Sequence, residues 1–227
     1  MKLVYTGKTK NVHDIGGGLL RLALKDDATG KDGVFDPGEN SVGLTIAGLG
    51  RESLRLSAHF FAMLSQNGIR THYVGHDIER AHMDARAAQV FGNGLEFVCR
   101  LVADGSFVRR YGQYAKFGRK LDALVEATLK DDAAGDPPIT PESLAELGIM
   151  SESEYAECSG LTKKAARLIE AALAEKGLAL HDIKFEFGKA DGEIIMIDEI
   201  SAGCMRVYKD GKPVGPMELS GLALGAD

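Results

Sequence analysis

The stretch HDIKFEFGKADGEIIMIDEIS, residues 181–201, predicts a β-hairpin around which the rest of the chain can be organised. Polar and apolar side chains alternate along its first half, which is typical of a strand with one buried face. The KADG tetrapeptide at 189–192 has the composition of a tight hairpin turn, and an apolar strand follows it. The alternation therefore places Asp182, Lys184 and Glu186 together on the polar face of the first strand.

The position of Asp198 depends on the register of this hairpin. If even-numbered residues pair with even-numbered ones, Asp198 shares the face of Lys184 and Glu186, whereas a slip of one residue turns its carboxylate to the other side. Two carboxylates and a lysine on one face form a candidate Mg²⁺–phosphate site, because Mg²⁺ prefers hard oxygen ligands and lysine neutralises phosphate. A solvated sheet face with a Lys–Glu cross-strand pair would produce the same pattern.

Length, charge and cysteine content exclude several classes of protein. The 227 residues suit one large domain or two small lobes, and the net charge of −6 argues against general binding to nucleic acid or anionic membrane. No apolar run approaches the roughly 20 residues of a membrane span, and the first residues do not resemble a signal peptide. The widely spaced Cys99, Cys158 and Cys204 fit reduced thiols. We therefore expect a soluble, cytoplasmic protein.

The remaining sequence predicts strands and helices in mixed order. Predicted strands cover 2–14 (two short strands), 19–24, 69–74 and 95–102, and predicted helices cover 51–67, 140–148 and 151–177. The residues from 25 to 50 are rich in Asp, Gly and Asn, which favours a long functional loop. In the last helix, the spacing predicts a buried stripe of Leu161, Ala165, Leu168 and Ala172.

This order of elements predicts an α+β protein with two lobes around a cleft. The turn Gly92-Asn93-Gly94 marks the expected boundary between the lobes. Residues 1–92 would form a β-rich N-terminal lobe with one long helix. Residues 93–227 would form an α+β C-terminal lobe that carries the metal–phosphate hairpin.

Two short segments add basic residues that suit anion binding. The GKTK stretch at 7–10 lacks the earlier glycine of a P-loop, but a glycine turn followed by two lysines can lie over nucleotide phosphates. Arg100 leaves a buried strand beside a Gly-Ser turn, so its guanidinium and the Ser106 hydroxyl could hold an anion. An exposed hairpin and a surface turn explain the same residues. His72 and His76 lie in strand or loop, where their spacing favours packing or surface roles over metal binding.

Taken in order, six segments resemble the SAICAR synthetase family, the ATP-dependent amide ligases of purine biosynthesis. They are GKTKNVHD (7–14), KDDATGKDG (25–33), NGIRTHYV (67–74), LEFVCRLVADGSFVRRYG (95–112), LKDDAAGDPPI (129–139) and IKFEFGKADGEIIMIDEIS (183–201). The resemblance implies a two-lobed fold with an ATP-grasp-like nucleotide cleft. It also implies a reaction in which L-aspartate is joined to a carboxyaminoimidazole ribotide while ATP is cleaved to ADP and phosphate.

The resemblance further implies roles for individual residues. The expected ATP contacts are Gly7, Lys8, Thr9, Lys10 and Lys130; the expected Mg²⁺ ligands are Glu186 and Asp198; the expected catalytic lysines are Lys10, Lys130 and Lys184. The expected substrate contacts are Arg100, Ser106 and Arg206, with Asp27 and Asp136 as acidic residues near the substrates. ATP and Mg²⁺ are therefore the expected cofactors, the partners are small molecules, and a homodimer is expected by resemblance.

Some positions depart from the family pattern. Where the family reads DE-[IF]-SPD, this chain has Ala202 and Gly203 for the proline and aspartate, although the following Arg206 is kept. The arginine-bearing segment that the family has near its C terminus finds no counterpart in 213–227. Three functions stay open: a SAICAR synthetase, a related ligase for a different carboxylate and amine, and a non-catalytic nucleotide-binding or assembly protein.

Overall fold

The structure is a computed structural model that describes residues 1–225. The strands in that range are β1 (Lys2–Thr6), β2 (Lys10–Gly16), β3 (Leu19–Leu24), β4 (Asp27–Lys31), β5 (Val34–Phe35), β6 (Val42–Thr45), β7 (Tyr73–Asp77), β8 (His82–Arg86), β9 (Gln89–Val90), β10 (Leu95–Val102), β11 (Lys120–Leu129), β12 (Pro138–Ile139), β13 (Ala179–Ala190), β14 (Glu193–Ile197), β15 (Met205–Lys209) and β16 (Lys212–Pro213). The helices are α1 (Leu49–Gln66), α2 (Gly105–Tyr111), α3 (Pro141–Glu146), α4 (Glu152–Ala174) and α5 (Glu218–Leu224), with short 3₁₀ turns at Asp132–Ala134 and Ala202–Cys204.

The strands form three sheets. A five-stranded sheet has the order β1-β2-β3-β8-β7, and a three-stranded sheet has the order β5-β4-β6. The eight-stranded sheet has the order β12-β11-β10-β13-β15-β16, and the long strand β13 also pairs with β14 and β9. Together with the helices these sheets confirm the predicted α+β class. No helix among residues 1–225 is long and apolar enough to cross a membrane.

The predicted hairpin is present as β13 and β14, but its register differs from the one that the metal-site hypothesis required. Glu186 pairs with Ile197 and Gly188 pairs with Ile195, so even-numbered residues face odd-numbered ones and the even-with-even premise is wrong. Strand β14 ends at Ile197, and Asp198 then adopts a left-handed conformation with φ of 71°. Since this conformation turns the chain out of the strand, strand alternation no longer determines where the Asp198 side chain points.

A large hydrophobic core joins α1 and α4 to the two larger sheets. Phe60 and Phe61 of α1 are buried in it, and Phe97 of β10 meets Phe187 of β13 edge-on at 5.5 Å between ring centroids. The fully buried face of α4 is slightly rotated from the predicted stripe: it consists of Cys158, Thr162, Ala165, Ala166, Ile169 and Leu173. Of the predicted stripe only Ala165 is on this face, because Leu161 and Leu168 lie at its half-buried edge.

The predicted long loop over 25–50 is wrong, because this segment contains β4, β5 and β6. Its glycines allow close strand contact: a Cβ atom added at Gly43 would lie 2.4 Å from the Gly30 carbonyl carbon. The strand predicted at 69–74 begins at Tyr73, and the residues before it run beside β14, where the His72 N–H donates to the Met196 carbonyl at 2.9 Å.

The N-terminus of α4 gives a test of local sequence chemistry. Ser151 and Glu154 form the predicted capping box, in which the Glu154 carboxylate accepts the Ser151 N–H at 2.8 Å. We expect Ser151→Ala to lower the free energy of unfolding by about 1 kcal/mol in urea titrations. Glu157→Ala, an exposed change on the same helix, should have a much smaller effect, and equal losses in the two variants would contradict a capping role.

Candidate active site

The polar face of the large sheet forms the floor of the main cleft. Arg100 of β10 pairs with Asp182 of β13, and Glu96 pairs with Glu186, so alternate side chains of the two strands point to the same side. The 7–10 hairpin, the loop after β5 and the segment after β14 complete the lining. The cleft is therefore built from parts of all three sheets.

Two lysine–carboxylate pairs occupy one end of the cleft, and the Lys130 side chain, 33% exposed, is the most open of the four. Lys10 Nζ lies 2.6 Å from Asp198 Oδ1, and this pair joins the first hairpin to the turn after β14. Lys130 Nζ donates to both Glu186 carboxylate oxygens, at 2.7 and 3.0 Å. The structure therefore brings together four residues that the sequence predicted as a nucleotide and metal site.

Lys184 contributes a third cation to this cluster. Its Nζ donates to Glu96 Oε1 at 2.6 Å and lies 3.8 Å from Glu186 Oε1. Burial would lower the pKa of Lys184, but Glu96 and Glu186 outweigh it and hold this pKa well above its ordinary value. Lys10, Lys130 and Lys184 therefore form one charged network with their carboxylate partners.

The network perturbs its own titration. Burial would lower the pKa of Lys10, but the charges of Asp198 and Glu199 raise it above the ordinary lysine value. Burial would raise the pKa of Asp198, but Lys10 and the neighbouring lysines hold this pKa well below its usual range. For Glu186, burial and the charge of Asp198 dominate and raise its pKa to about 7. Lys10 and Asp198 are therefore held as an ion pair, whereas the pKa of Glu186 lies near neutral pH.

Buried polar side chains fix the backbone that carries Asp198. The Asp198 carbonyl lies 2.9 Å from Nε2 of His72, a buried residue whose ring meets Phe61 edge-on. The Ser57 hydroxyl of α1 accepts the Ile200 N–H at 3.1 Å. Burial lowers the pKa of His72 to about 4, so its ring is neutral at pH 7 and donates from Nε2 to the carbonyl. The sequence predicted a packing or surface role for His72; its place behind Asp198 was missed.

Arg100 and its partners form the other end of the cleft. Arg100 is 2 % exposed, and its guanidinium contacts the Glu126 carboxylate, Asp182 Oδ2 at 3.1 Å and the Ser106 hydroxyl at 2.9 Å. Such a fully paired buried arginine is held in a fixed orientation. Arg100 and Ser106 thus lie together at the cleft, as the sequence predicted.

Arg206 lies beside Arg100 and shares its carboxylate partner. Its guanidinium bonds to Asp182 at 3.0 Å and to Asp36 at 2.7 Å. Two glycines make room for it, since an added Cβ at Gly38 or Gly105 would lie 2.1 or 2.5 Å from guanidinium atoms. The contact with Asp36 ties the small sheet to the large one.

The GKTK segment forms the turn between β1 and β2 at the rim of the cleft. Lys8 reaches across to Asp132 at 2.7 Å, and the Thr9 hydroxyl donates to Glu199 Oε1 at 3.3 Å. The Gly7 carbonyl accepts a hydrogen bond from Lys25 at 2.7 Å. This turn therefore contacts both sides of the cleft.

The two remaining predicted acidic residues occupy different places. Asp136 lines the main cleft and accepts the Asp131 N–H at 2.9 Å. Asp27 lies outside the main cleft and accepts a hydrogen bond from Thr45 at 2.8 Å. It lines a smaller adjacent cavity, together with Ser53.

An apolar cavity of about 290 Å³ adjoins the lysine cluster. Its apolar walls come from both larger sheets and the segment between them: Val12, Leu20, Leu22, Val90 and Ile197. Lys10 and Lys130 lie at its polar end. The cavity therefore combines apolar walls with a charged end, an arrangement that suits a small molecule with one apolar and one charged part.

Several acidic partners of the cleft cations escaped the sequence analysis. Glu96, Glu126, Glu199 and Asp36 each pair with a predicted cation or lie beside one. Alternation along β10 would have placed Glu96 on the face of Arg100. The other three partners depend on which elements become neighbours in space, for which the sequence contains no local signal.

Glu186 and Asp198 fit a magnesium ion by their chemistry. Their side chains are 7% and 12% exposed, both present carboxylate oxygens to the lysine cluster, and the charge of Asp198 raises the pKa of Glu186, as expected of neighbouring ligands. Among residues 1–225 no three His, Cys, Asp or Glu side chains gather into a metal-binding group. Two carboxylates suffice for Mg²⁺, which takes its remaining oxygens from phosphate and water.

Comparison with known sequences gives matches along nearly the whole chain. The SAICAR synthetase family model matches residues 3–218. A phosphoribosylaminoimidazole-succinocarboxamide synthase from Clostridium tetani is 51% identical over 226 residues, covering 99% of this chain and 100% of that protein. The enzyme of the same name from Caldivirga maquilingensis is 32% identical over 215 residues, covering 93% of this chain and 84% of that protein.

Solved structures agree with the sequence matches. A SAICAR synthetase in complex with ADP has a TM-score of 0.86 and 29% identity, covering 98% of this chain and 97% of the other. SAICAR synthetase from Pyrococcus horikoshii OT3 has a TM-score of 0.83 and 28% identity, covering 96% and 98%. These likenesses confirm the fold that the resemblance implied.

The buried His72 generates a prediction about acid stability. Because its pKa is about 4 in the folded protein and about 6.5 otherwise, the unfolded chain takes up a proton first as the pH falls. The wild type should therefore lose stability between pH 6.5 and 4, by on the order of 3 kcal/mol from this residue. His72→Gln should flatten this slope in urea titrations at several pH values, while the exposed control His76→Gln should not. An unchanged slope in His72→Gln would contradict the assignment.

Proposed function

Since this chain belongs to the SAICAR synthetase family, we propose that it is an ATP-dependent amide ligase acting in purine biosynthesis. The proposed reaction joins L-aspartate to carboxyaminoimidazole ribotide and yields SAICAR, ADP and phosphate. The observation that carries the proposal is the buried lysine–carboxylate cluster, which lies between an apolar cavity and an arginine-lined cleft. This arrangement suits the adenine of ATP in the cavity, its phosphates at the lysines and the anionic ribotide in the cleft.

In this proposal the nucleotide occupies the apolar cavity. The adenine packs among Val12, Leu22 and Ile197, and the phosphates extend toward Lys10 and Lys130 at the polar end. The turn at 7–10 covers the phosphates with its backbone and with Lys8. The ADP complex of a related SAICAR synthetase supports a nucleotide site in this fold.

The ribotide lies in the main cleft. Arg100, Ser106 and Arg206 bind its anionic groups, and its reacting carboxylate points toward the lysine cluster, with Asp136 at the rim. A carboxylate oxygen attacks the γ-phosphorus of ATP, ADP leaves, and an acyl phosphate forms. Lys10, Lys130 and Lys184 stabilise the negative charge on the moving phosphoryl group because the carboxylates hold them charged and in place.

Glu186 and Asp198 are the proposed magnesium ligands. Bound there, Mg²⁺ supplies positive charge to the phosphate oxygens. In the second half of the reaction the amine of aspartate attacks the acyl carbon, and phosphate leaves. Asp27, in the cavity next to the cleft, is proposed to lie on the amine side of the site.

The altered motif after Asp198 favours a second candidate. Gly203 lines the cleft where the family pattern has an aspartate, and Ala202 replaces the proline. A ligase of the same mechanism with a different carboxylate or amine would retain the lysine cluster and vary these positions. The substrate assay described below separates the two candidates.

Three wider properties are also proposed. A cytoplasmic location is supported by Cys99, Cys158 and Cys204, which are buried and free of disulfides. A division into lobes at 1–92 and 93–227 follows the change from the five-stranded to the eight-stranded sheet, although β9 crosses it. The homodimer rests on the family resemblance.

The test of the proposed function is a reconstitution with ATP, Mg²⁺, the ribotide and aspartate. We expect equal amounts of phosphate and ribotide amide, measured by a phosphate assay and mass spectrometry. Asp198→Asn should reduce turnover by on the order of 100-fold or more, because it removes the charge of a proposed magnesium ligand and of the ion-pair partner that holds Lys10 in place. Asp122→Asn, at an aspartate whose side chain is fully exposed on β11, serves as the matched control and should retain activity.

Other outcomes would change the assignment. Near-normal turnover in Asp198→Asn would show that Asp198 is not a functional residue of the active site. Phosphate release that needs neither aspartate nor amide formation would reject the SAICAR synthetase reaction. Product formed only with another amine or carboxylate would establish the second candidate.

A further inference from the structure

Two buried polar atoms beside the cleft have no hydrogen-bond partner. They are Oε2 of Glu199 and Oγ1 of Thr29. Glu199 is 6 % exposed, and its Oε2 has a cation only at 3.7 Å, the Lys10 amine, which lies closer to Asp198. Buried polar atoms are nearly always paired, because an unpaired one costs about 1–3 kcal/mol. These two atoms therefore point to a ligand that pairs with them.

Both residues lie where two cavities adjoin. Thr29 and Glu199 line the main cleft and also the smaller cavity that contains Asp27. Hydroxyl groups of Thr9 and Ser201 lie on the same boundary or beside it, and each donates to Glu199 Oε1. The remaining oxygen, Oε2, is thus left for an incoming donor.

Neighbouring carboxylates of the cleft already have cations as partners. Asp198 is paired with Lys10, and Glu96 with Lys184. Asp182 is shared by two arginines, as described above. Among the buried side-chain oxygens of residues 1–225, Glu199 Oε2 is the one carboxylate oxygen without a hydrogen bond.

We propose that Glu199 and Thr29 form the subsite for the amino-acid substrate, an inference that rests on the proposed function. Glu199 Oε2 accepts a hydrogen bond from the α-ammonium group, and the Thr29 hydroxyl donates one to a carboxylate of the same molecule. An ammonium fits because it supplies the donors and the positive charge that the buried carboxylate lacks. The 3.7 Å distance to Lys10 places this subsite next to the phosphate-binding lysines.

Hydroxylamine separates this role from a structural one, because it is largely uncharged at pH 7.5, has no carboxylate and therefore makes neither contact. We expect Glu199→Gln to raise KM for aspartate by on the order of 10- to 100-fold, since it removes one hydrogen bond between charged groups. Hydroxamate formation from ATP, ribotide and hydroxylamine should stay within about threefold of wild type, because a variant that loses only binding of aspartate leaves the reaction of another amine unchanged. Glu175→Gln, at an exposed glutamate after α4, is the matched control and should behave as wild type with both amines.

Thr29→Val provides a second variant that keeps the volume of the side chain and removes its hydroxyl. It should raise KM for aspartate about 10-fold, the effect of one lost hydrogen bond, with little change in kcat or in hydroxamate formation. Equal losses with aspartate and hydroxylamine in Glu199→Gln would overturn the inference, and so would unchanged aspartate kinetics in both variants. Failure of wild type with both amines would instead reject the proposed function.

Discussion

The structure depends on the pairing of buried charges between Lys10 and Asp198. Removing an ion from water costs several kcal/mol unless a partner of opposite charge compensates it. Here the two partners come from distant parts of the chain, the first hairpin and the turn after β14, and their amine and carboxylate lie 2.6 Å apart. Loss of either partner would leave a buried charge uncompensated, so the pair fixes how the five-stranded sheet sits against the large one.

The same pairing prepares the cleft for phosphate. Carboxylates around Lys10, Lys130 and Lys184 raise the pKa values of these lysines and hold their amines in place. Preorganised charges stabilise a transition state without reorganising at the moment of reaction. In the proposed function, folding and catalysis thus use the same contacts. The left-handed backbone at Asp198 is retained because the His72 hydrogen bond and the Lys10 ion pair hold it.

Sequence reasoning succeeded where local chemistry determines structure and failed where spatial neighbours do. The β13–β14 hairpin, the strand β10 and the cap at Ser151 followed from alternation, turn composition and side-chain hydrogen bonding. The strands between 27 and 45 were missed because they are short, polar and rich in glycine, and their pairing comes from tertiary contact. The sequence analysis placed the Asp198 side chain from an assumed register of the β13–β14 hairpin. In the structure its direction follows instead from the left-handed φ of this residue.

Exposure divides the cations of the cleft into two groups, and this division reconciles a net charge of −6 with the binding of anions. The Arg100–Asp182 pair is almost wholly buried, with side chains 3% and 4% exposed, so a ligand cannot displace it without leaving a charge unpaired. Arg206 belongs with this pair, because it shares Asp182 and its own side chain is 14% exposed. The pair made by Lys8 with Asp132 is far more open, with side chains 35% and 54% exposed. Such a pair contributes about 0–1 kcal/mol, so a phosphate or carboxylate can replace the acidic partner at little cost. The buried pairs therefore set the shape of the cleft, and in the proposed function the more exposed Lys8 supplies a cation that a ligand can use.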